Sequence, residues 1–458
     1  MVRFAGAVFA SIALVFGVPC QAQNVAGSQQ SAAPAAAAGS GLSNVAITAS
    51  YLQTLLDKAD YIEFARRLPS AIGLKPEQEE YFRGILAYRQ GRFGEVVNPL
   101  VTAVRTHNSV LTDKQMESAF EILGQTSEKT FLYSSSAQMY DDIDKLFGSR
   151  MGEEIQDIHE RRQIGLLLKN VPVETARIDG DFTMLRSGTE LEGEYPISIG
   201  GKSFFAQLDT GASVSLLSES AARDWGVTIL DGTVTLHGYG GGGFSAHPGF
   251  IPVLQIGNAE LHNVVVFVTA DKNLYIAEIK RQTHALLGFP VASALGRLTF
   301  ARDGTLTVTA HPASTTSGAA MWIGDGSLLV ALGTVPVING DKLTGGTKER
   351  LFELDTGSGS TYFTDHYLAE NRSRFSGEPS SVARLAGAGG IHEIPAYKTQ
   401  RLPLFFDNTP VLSTGQHVLT QSQGGEAESY YGVIGQDILQ LFSSYTLDFR
   451  NMRFSVVP

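Results

Sequence analysis

The stretch Phe204-Phe205-Ala206-Gln207-Leu208-Asp209-Thr210-Gly211-Ala212-Ser213 has a counterpart in Leu351-Phe352-Glu353-Leu354-Asp355-Thr356-Gly357-Ser358-Gly359, the two aspartates standing 146 positions apart. In each copy a strand-like apolar run ends in Asp-Thr-Gly, where the chain turns. A glycine-rich tip, Gly238-Tyr239-Gly240-Gly241-Gly242-Gly243, begins 29 positions after Asp209, and Gly387-Ala388-Gly389-Gly390 begins 32 after Asp355. Further on, Leu286-Leu287-Gly288 and Val433-Ile434-Gly435 place their glycines 79 and 80 positions beyond the two aspartates. A short helical pattern and a closing strand follow each of these glycines. The same features in the same order at matching intervals describe one β module that occurs twice.

Around this pair, residues from about Arg177 onward read as short alternating strands separated by glycine turns, with Tyr195–Ile199, Thr233–Leu236, Val264–Val268 and Tyr445–Phe449 as examples. A Ser/Thr/Gly/Ala stretch at 312–320 divides the region, which predicts a first β lobe over 177–311 and a second over 321–458. Residues 45–170 are helical in pattern. Phe82, Ile85, Leu86 and Tyr88 precede Gly91, and Phe93, Val96, Val97, Leu100, Val101 and Val104 follow it at helical spacing. The segment from Gly84 to Phe93 resembles one tetratricopeptide-type helical hairpin. A single such unit falls short of the three or so that stable arrays need, so a generic helical domain stays equally open.

The amino terminus reads as an export signal. Arg3 is its charged start, Ala5–Val18 its apolar run and Cys20-Gln21-Ala22 its small-residue cleavage site, giving a signal peptide over 1–22. The sequence Gly17-Val18-Pro19 before Cys20 fits lipid attachment poorly. Residues 23–44, rich in Ala, Gly, Ser, Gln and Pro, read as a flexible linker. No later apolar run reaches spanning length, which predicts a periplasmic or secreted protein without a membrane span. Cys20 is the sole cysteine, so a chain cleaved after Ala22 has no thiol for a disulfide, a nucleophile or a metal site. A formal net charge of -11 with no basic stripe argues against nucleic acid as a partner.

The duplicated Asp-Thr-Gly units resemble the pepsin and retropepsin family of aspartic proteases over roughly residues 186–458. The resemblance implies a mainly β, bilobal acid-protease fold behind the helical domain, both lobes on one chain. It implies Asp209 and Asp355 as the catalytic pair, Thr210 and Thr356 as a clasp across the lobe interface, and no metal or organic cofactor. Ala212 is retropepsin-like and Ser358 pepsin-like. Two glycine-rich tips suggest a flap on each lobe, with Tyr239, Gly240 and Gly241 on the first and Gly389 on the second.

Peptide hydrolysis needs a water deprotonated for attack and a proton for the departing nitrogen. Two adjoining carboxyl groups supply both, because they cannot both ionise cheaply and hold one proton between them. Gly211 and Gly357 are expected to let backbone N–H groups approach these carboxylates without an intervening side chain. Ser358 is expected to donate to Asp355. Ala212 has no hydroxyl for Asp209, although Ser213 stands nearby, and this predicts a less acidic pH optimum than two hydroxyl-supported aspartates would give. Leu286, Leu287, Val433 and Ile434 are expected behind the pair as core.

Other matches lack their context. Pro248 follows Gly238–Gly243 where a dinucleotide site needs a helix, and Ala396 replaces the second histidine of the zinc motif begun by His392-Glu393. The resemblance to aspartic proteases implies an extended polypeptide as the substrate. The helical domain is expected to recruit substrate, dock a protein partner or mask the cleft as a pro-segment. The rival reading is a non-catalytic helical scaffold carrying a retired protease fold.

Overall fold

A computed structural model describes residues 46–458 apart from 106–109, 189–192, 239–242, 277–280, 325, 335–336, 340–341, 345–346, 389, 400–401, 408, 414 and 422–429. The expected signal peptide and the whole of the expected linker lie outside the described residues, as do Tyr239, Gly240, Gly241 and Gly389.

Among the described residues seven α-helices run from Ala49 to Leu168, and the strands begin at Thr175. The break expected at Gly91 separates helix Pro76–Arg89 from helix Val97–Arg105. Gly91 has a φ of 70°, a left-handed turn that a glycine adopts without penalty. A Cβ there would lie 2.9 Å from the sulfur of Met452, so the turn also seats the helical region against the final β-hairpin. Gly84 lets the two helices cross closely, because a Cβ at that position would lie 2.5 Å from Leu100. The helices bury Phe64, Tyr81, Phe82, Tyr88, Phe120 and Tyr140 almost completely. Such burial, at about 25 cal/mol per Å² of apolar surface, is the main favourable contribution to folding.

Among the described residues the β region is built from two main sheets, of nine and fifteen strands. In the first, strand Lys202–Leu208 leads to Asp209 and pairs in parallel with Ala285–Leu287, in the register Leu208 with Leu287. In the second, Lys348–Leu354 leads to Asp355 and pairs in parallel with Gly432–Ile434, Leu354 opposite Ile434. The Leu-Leu-Gly and Val-Ile-Gly signatures are thus the strands that flank the two aspartate strands. Leu287, Val433 and Ile434 are buried behind the aspartates, and Leu286 is half-buried.

Strand Ala319–Ile323 already pairs with Arg453–Val457 and Leu328–Thr334, so the connecting stretch ends before residue 319. Strands also cross between the halves. Arg297–Ala301 pairs antiparallel with Ser444–Asp448, in a run ordered Phe182–Leu185, Thr305–Thr309, Arg297–Ala301, Ser444–Asp448, Arg453–Val457 and Ala319–Ile323. Three strands from each half make one continuous antiparallel layer. Across it Arg297 donates to the buried Asp448 from Nε at 2.8 Å, and Phe300 stacks on Tyr445 at 5.0 Å. The halves are therefore fixed relative to one another by main-chain hydrogen bonds as well as by packing.

Candidate active site

Asp209 and Asp355 stand at the ends of the two matching strands, half-buried, with their carboxyl groups within hydrogen-bonding reach of one another. Each strand is anchored to its parallel neighbour at the aspartate itself, by Asp209 N–H to Leu287 carbonyl at 3.0 Å and Asp355 N–H to Ile434 carbonyl at 3.1 Å. Each carboxylate accepts from its own turn. Asp209 Oδ1 takes the N–H of Gly211 at 3.0 Å and of Ala212 at 3.1 Å. Asp355 Oδ1 takes those of Gly357 at 2.8 Å and Ser358 at 3.0 Å.

The threonines interlock the two turns. Thr210 donates its hydroxyl to the Leu354 carbonyl at 2.6 Å and accepts the Thr356 N–H at 3.1 Å. Thr356 donates to the Leu208 carbonyl at 2.9 Å and accepts the Thr210 N–H at 3.1 Å. All four bonds cross between the halves, and both threonines are buried.

The glycines do more than admit backbone donors. A Cβ on Gly211 would lie 2.5 to 2.7 Å from the carboxyl atoms of Asp355, and one on Gly357 would overlap the carboxyl of Asp209. Each glycine thus makes room for the opposite aspartate, a closer constraint than the one expected from its own turn. Gly288 and Gly435 have a related part. A Cβ on Gly288 would meet the Ala212 and Val214 carbonyls at 2.6 and 2.5 Å, and one on Gly435 the Ser358 and Ser360 carbonyls at 2.9 and 2.7 Å.

The Ser358 hydroxyl does not support Asp355. It donates to the Ser360 carbonyl at 2.9 Å, and only the Ser358 backbone N–H reaches the carboxylate. Ala212 supplies the same backbone bond to Asp209, and Ser213 is exposed. The contrast between Ala212 and Ser358 is therefore not a contrast in bonds to the aspartates, and the pH argument drawn from it falls.

Burial pushes both carboxyl groups above the usual aspartate range. For Asp355 the neighbouring negative charges of Asp209 and then Glu353 add to the rise, while the Gly357 N–H opposes it. The pair titrates as a unit.

Sequence reasoning passed over several neighbours. Ser215 and Thr361 each follow their aspartate by six positions, and their hydroxyls accept the N–H of Gly288 at 3.1 Å and of Gly435 at 2.9 Å. That shared offset was available as a signal. Gln207 and Glu353 each precede their aspartate by two positions. Gln207 donates across the halves to the Gly357 carbonyl at 3.2 Å, and Glu353 is the buried acid beside Asp355.

Strands Val234–His237 and Gly243–Ile256 form the first hairpin, and Ser381–Gly387 and Gly390–Lys398 the second. Their described ends meet. The Ala388 carbonyl lies where a Cβ on Gly238 would be, an approach open only to glycine. Among the described residues no cluster of three or more His, Cys, Asp or Glu side chains is arranged to hold a metal, and no helix is long and apolar enough to cross a membrane.

No curated protein matches the chain. Residues 195–291, which carry Asp209, the first hairpin and the Leu-Leu-Gly strand, match the family model described as aspartyl protease, and this match supports an aspartic protease family for the chain.

Proposed function

We propose that this chain is an aspartic endopeptidase of bilobal acid-protease architecture that hydrolyses extended polypeptides through Asp209 and Asp355. The observation that carries the reading is the pairing of the two carboxyl groups within hydrogen-bonding reach, held by the reciprocal Thr210 and Thr356 clasp. The family match covers most of the first unit, and the second repeats its Asp-Thr-Gly turn, the strand that leads to it and the parallel flanking strand around Asp355.

In the reaction the ionised carboxyl removes a proton from a water held between the pair. The resulting hydroxide equivalent attacks the peptide carbonyl, whose oxygen is polarised by the protonated carboxyl. The tetrahedral species then loses its amine as a carboxyl proton passes to the nitrogen, and the pair returns to its singly protonated state. The N–H donors on Asp209 Oδ1 and Asp355 Oδ1 leave the other oxygen of each carboxyl to face the water. Substrate lies as an added strand between the hairpins and the aspartates. Export of the mature protein rests on the residue pattern at 1–22.

The test is cleavage of an unfolded protein between about pH 3 and 7 by the mature chain, with and without a statine-type mimic of the tetrahedral intermediate. Cleavage blocked by the mimic supports the reading. Absence of cleavage across the range points to the retired-fold scaffold instead.

A further inference from the structure

The last helix of the amino-terminal region, Ile155–Leu168, packs along the first hairpin rather than standing apart from the β units. Glu160, Gln163 and Leu167 lie at helical spacing on one face. Gln163 Nε2 donates to the Thr233 carbonyl at 2.8 Å. Glu160 Oε2 lies 3.3 Å from His237 Nε2, at the far end of the same strand. Just before Thr233, Leu167 fits over Gly232, where a Cβ would lie 2.7 Å from a Leu167 methyl. Three contacts thus follow the outgoing strand of the hairpin from Gly232 to His237.

Beneath them Val234, Phe244 and Ala246 of the hairpin are buried in one apolar cluster with Leu168, Val171 and Tyr133. Only Gly243–Ala246 pair with Val234–His237, and the longer strand joins the nine-stranded sheet from Ala246 onward, so this two-stranded end projects beyond the sheet and is marginal without such a backing. The opposite face of the helix is committed elsewhere: Gly165 sits on Ala137, and Arg161 pairs with Glu128 at 3.3 Å. The helix is therefore held by two of its helical neighbours while it holds the hairpin.

We infer that Glu160 and Gln163 are positioning residues for peptide hydrolysis, which fix the first hairpin over the cleft and so make the helical region an integral part of the protease. This rests on the proposed activity, because a hairpin fixed over a cleft matters only where substrate is bound beneath it. It assigns the helical region a part in substrate binding from within the molecule.

The experiment compares the full mature chain with Gln163→Ala, Glu160→Gln and the double Glu160→Ala/Gln163→Ala variant. Amide hydrogen exchange in strands Val234–His237 and Gly243–Ile256 is expected to quicken at least about fivefold in the double variant, the ratio that loss of one net hydrogen bond gives. KM for an unfolded protein substrate is expected to rise by a similar factor, with kcat changed less. Glu160→Gln, which keeps an acceptor facing His237, is expected to retain most of the wild-type KM. Unchanged exchange in both strands of the double variant overturns the inference whether or not the wild type cleaves, and a wild type that does not cleave overturns the activity reading instead. Quickened exchange with KM unmoved in a cleaving enzyme also overturns the positioning role.

Discussion

Thr210 and Thr356 each donate a hydroxyl hydrogen bond to the carbonyl that precedes the other's aspartate, and each accepts the other's backbone N–H. The exchange is buried, so none of the four bonds is easily replaced by water. It converts two separately folded turns into one rigid base for Asp209 and Asp355.

Replacing Thr210 by Val keeps the shape but removes one donor and one acceptor. The Leu354 carbonyl and the Thr356 N–H are then left buried and unpaired. Urea unfolding is expected to lose about 2 to 4 kcal/mol of stability, and Thr356→Val should match it from the other side. A loss below about 0.5 kcal/mol in both would mean that the clasp is not formed in solution.

Gly357→Ala places a methyl group against the Asp209 carboxyl, and Gly211→Ala places one against Asp355. Neither glycine has a positive φ, so the backbone tolerates alanine and the conflict is confined to the aspartates. Cleavage is expected to fall on the order of 100-fold, the effect of misplacing a reacting group by about 1 Å. Circular dichroism should stay close to wild type. Full activity in either variant would place the carboxyl groups farther apart than described.

Ser358→Ala is expected to leave the pH–rate profile in place, because its hydroxyl is spent on the Ser360 carbonyl and its backbone N–H remains for Asp355. A shift of the acid limb would show that the hydroxyl does reach the carboxylate. By the same reasoning Ala212→Ser has no built partner to reach for.

Glu174 gives a pH dependence of stability independent of the aspartate pair. It lies buried where the helical region meets the first β unit, beside Tyr133, and Val265 donates an N–H to its Oε2 at 3.2 Å. Burial pushes its carboxyl up to about 7 from an ordinary 4.5. The folded state therefore binds the proton more tightly than the unfolded chain. Stability is fully present below the ordinary value and declines as pH rises through about 7. The decline amounts to about 3 kcal/mol, and Glu174→Gln should remove it. Unfolding of the two proteins at about pH 4 and pH 8 checks this through their difference, which should appear only at the higher pH. An equal difference at both would assign the effect to packing.

Much of this arrangement was legible in the residues. Asp209, Asp355, the flanking strands ending at Gly288 and Gly435, and the turn at Gly91 all follow from local patterns that repeat or break a period. What was not legible depends on which surfaces meet. The alternation of Arg297–Ala301 announces a strand but not its pairing with Ser444–Asp448 in the other half. The apolar residues of Ile155–Leu168 do not name the hairpin they cover. Ser358 follows its motif as a hydroxyl donor should, yet its side chain satisfies the nearer Ser360 carbonyl instead of the carboxylate. Glu353, an acid in an apolar strand, was readable as an anomaly, but its placement beside Asp355 depends on the packed sheet.

The most direct test is cleavage of an unfolded protein by Asp209→Asn and Asp355→Asn, each compared with wild type across the acidic and neutral range. An amide cannot share or pass the proton, so each variant alone is expected to lose at least about 100-fold in kcat/KM while remaining folded. Full cleavage by either variant would contradict a reaction run by the pair.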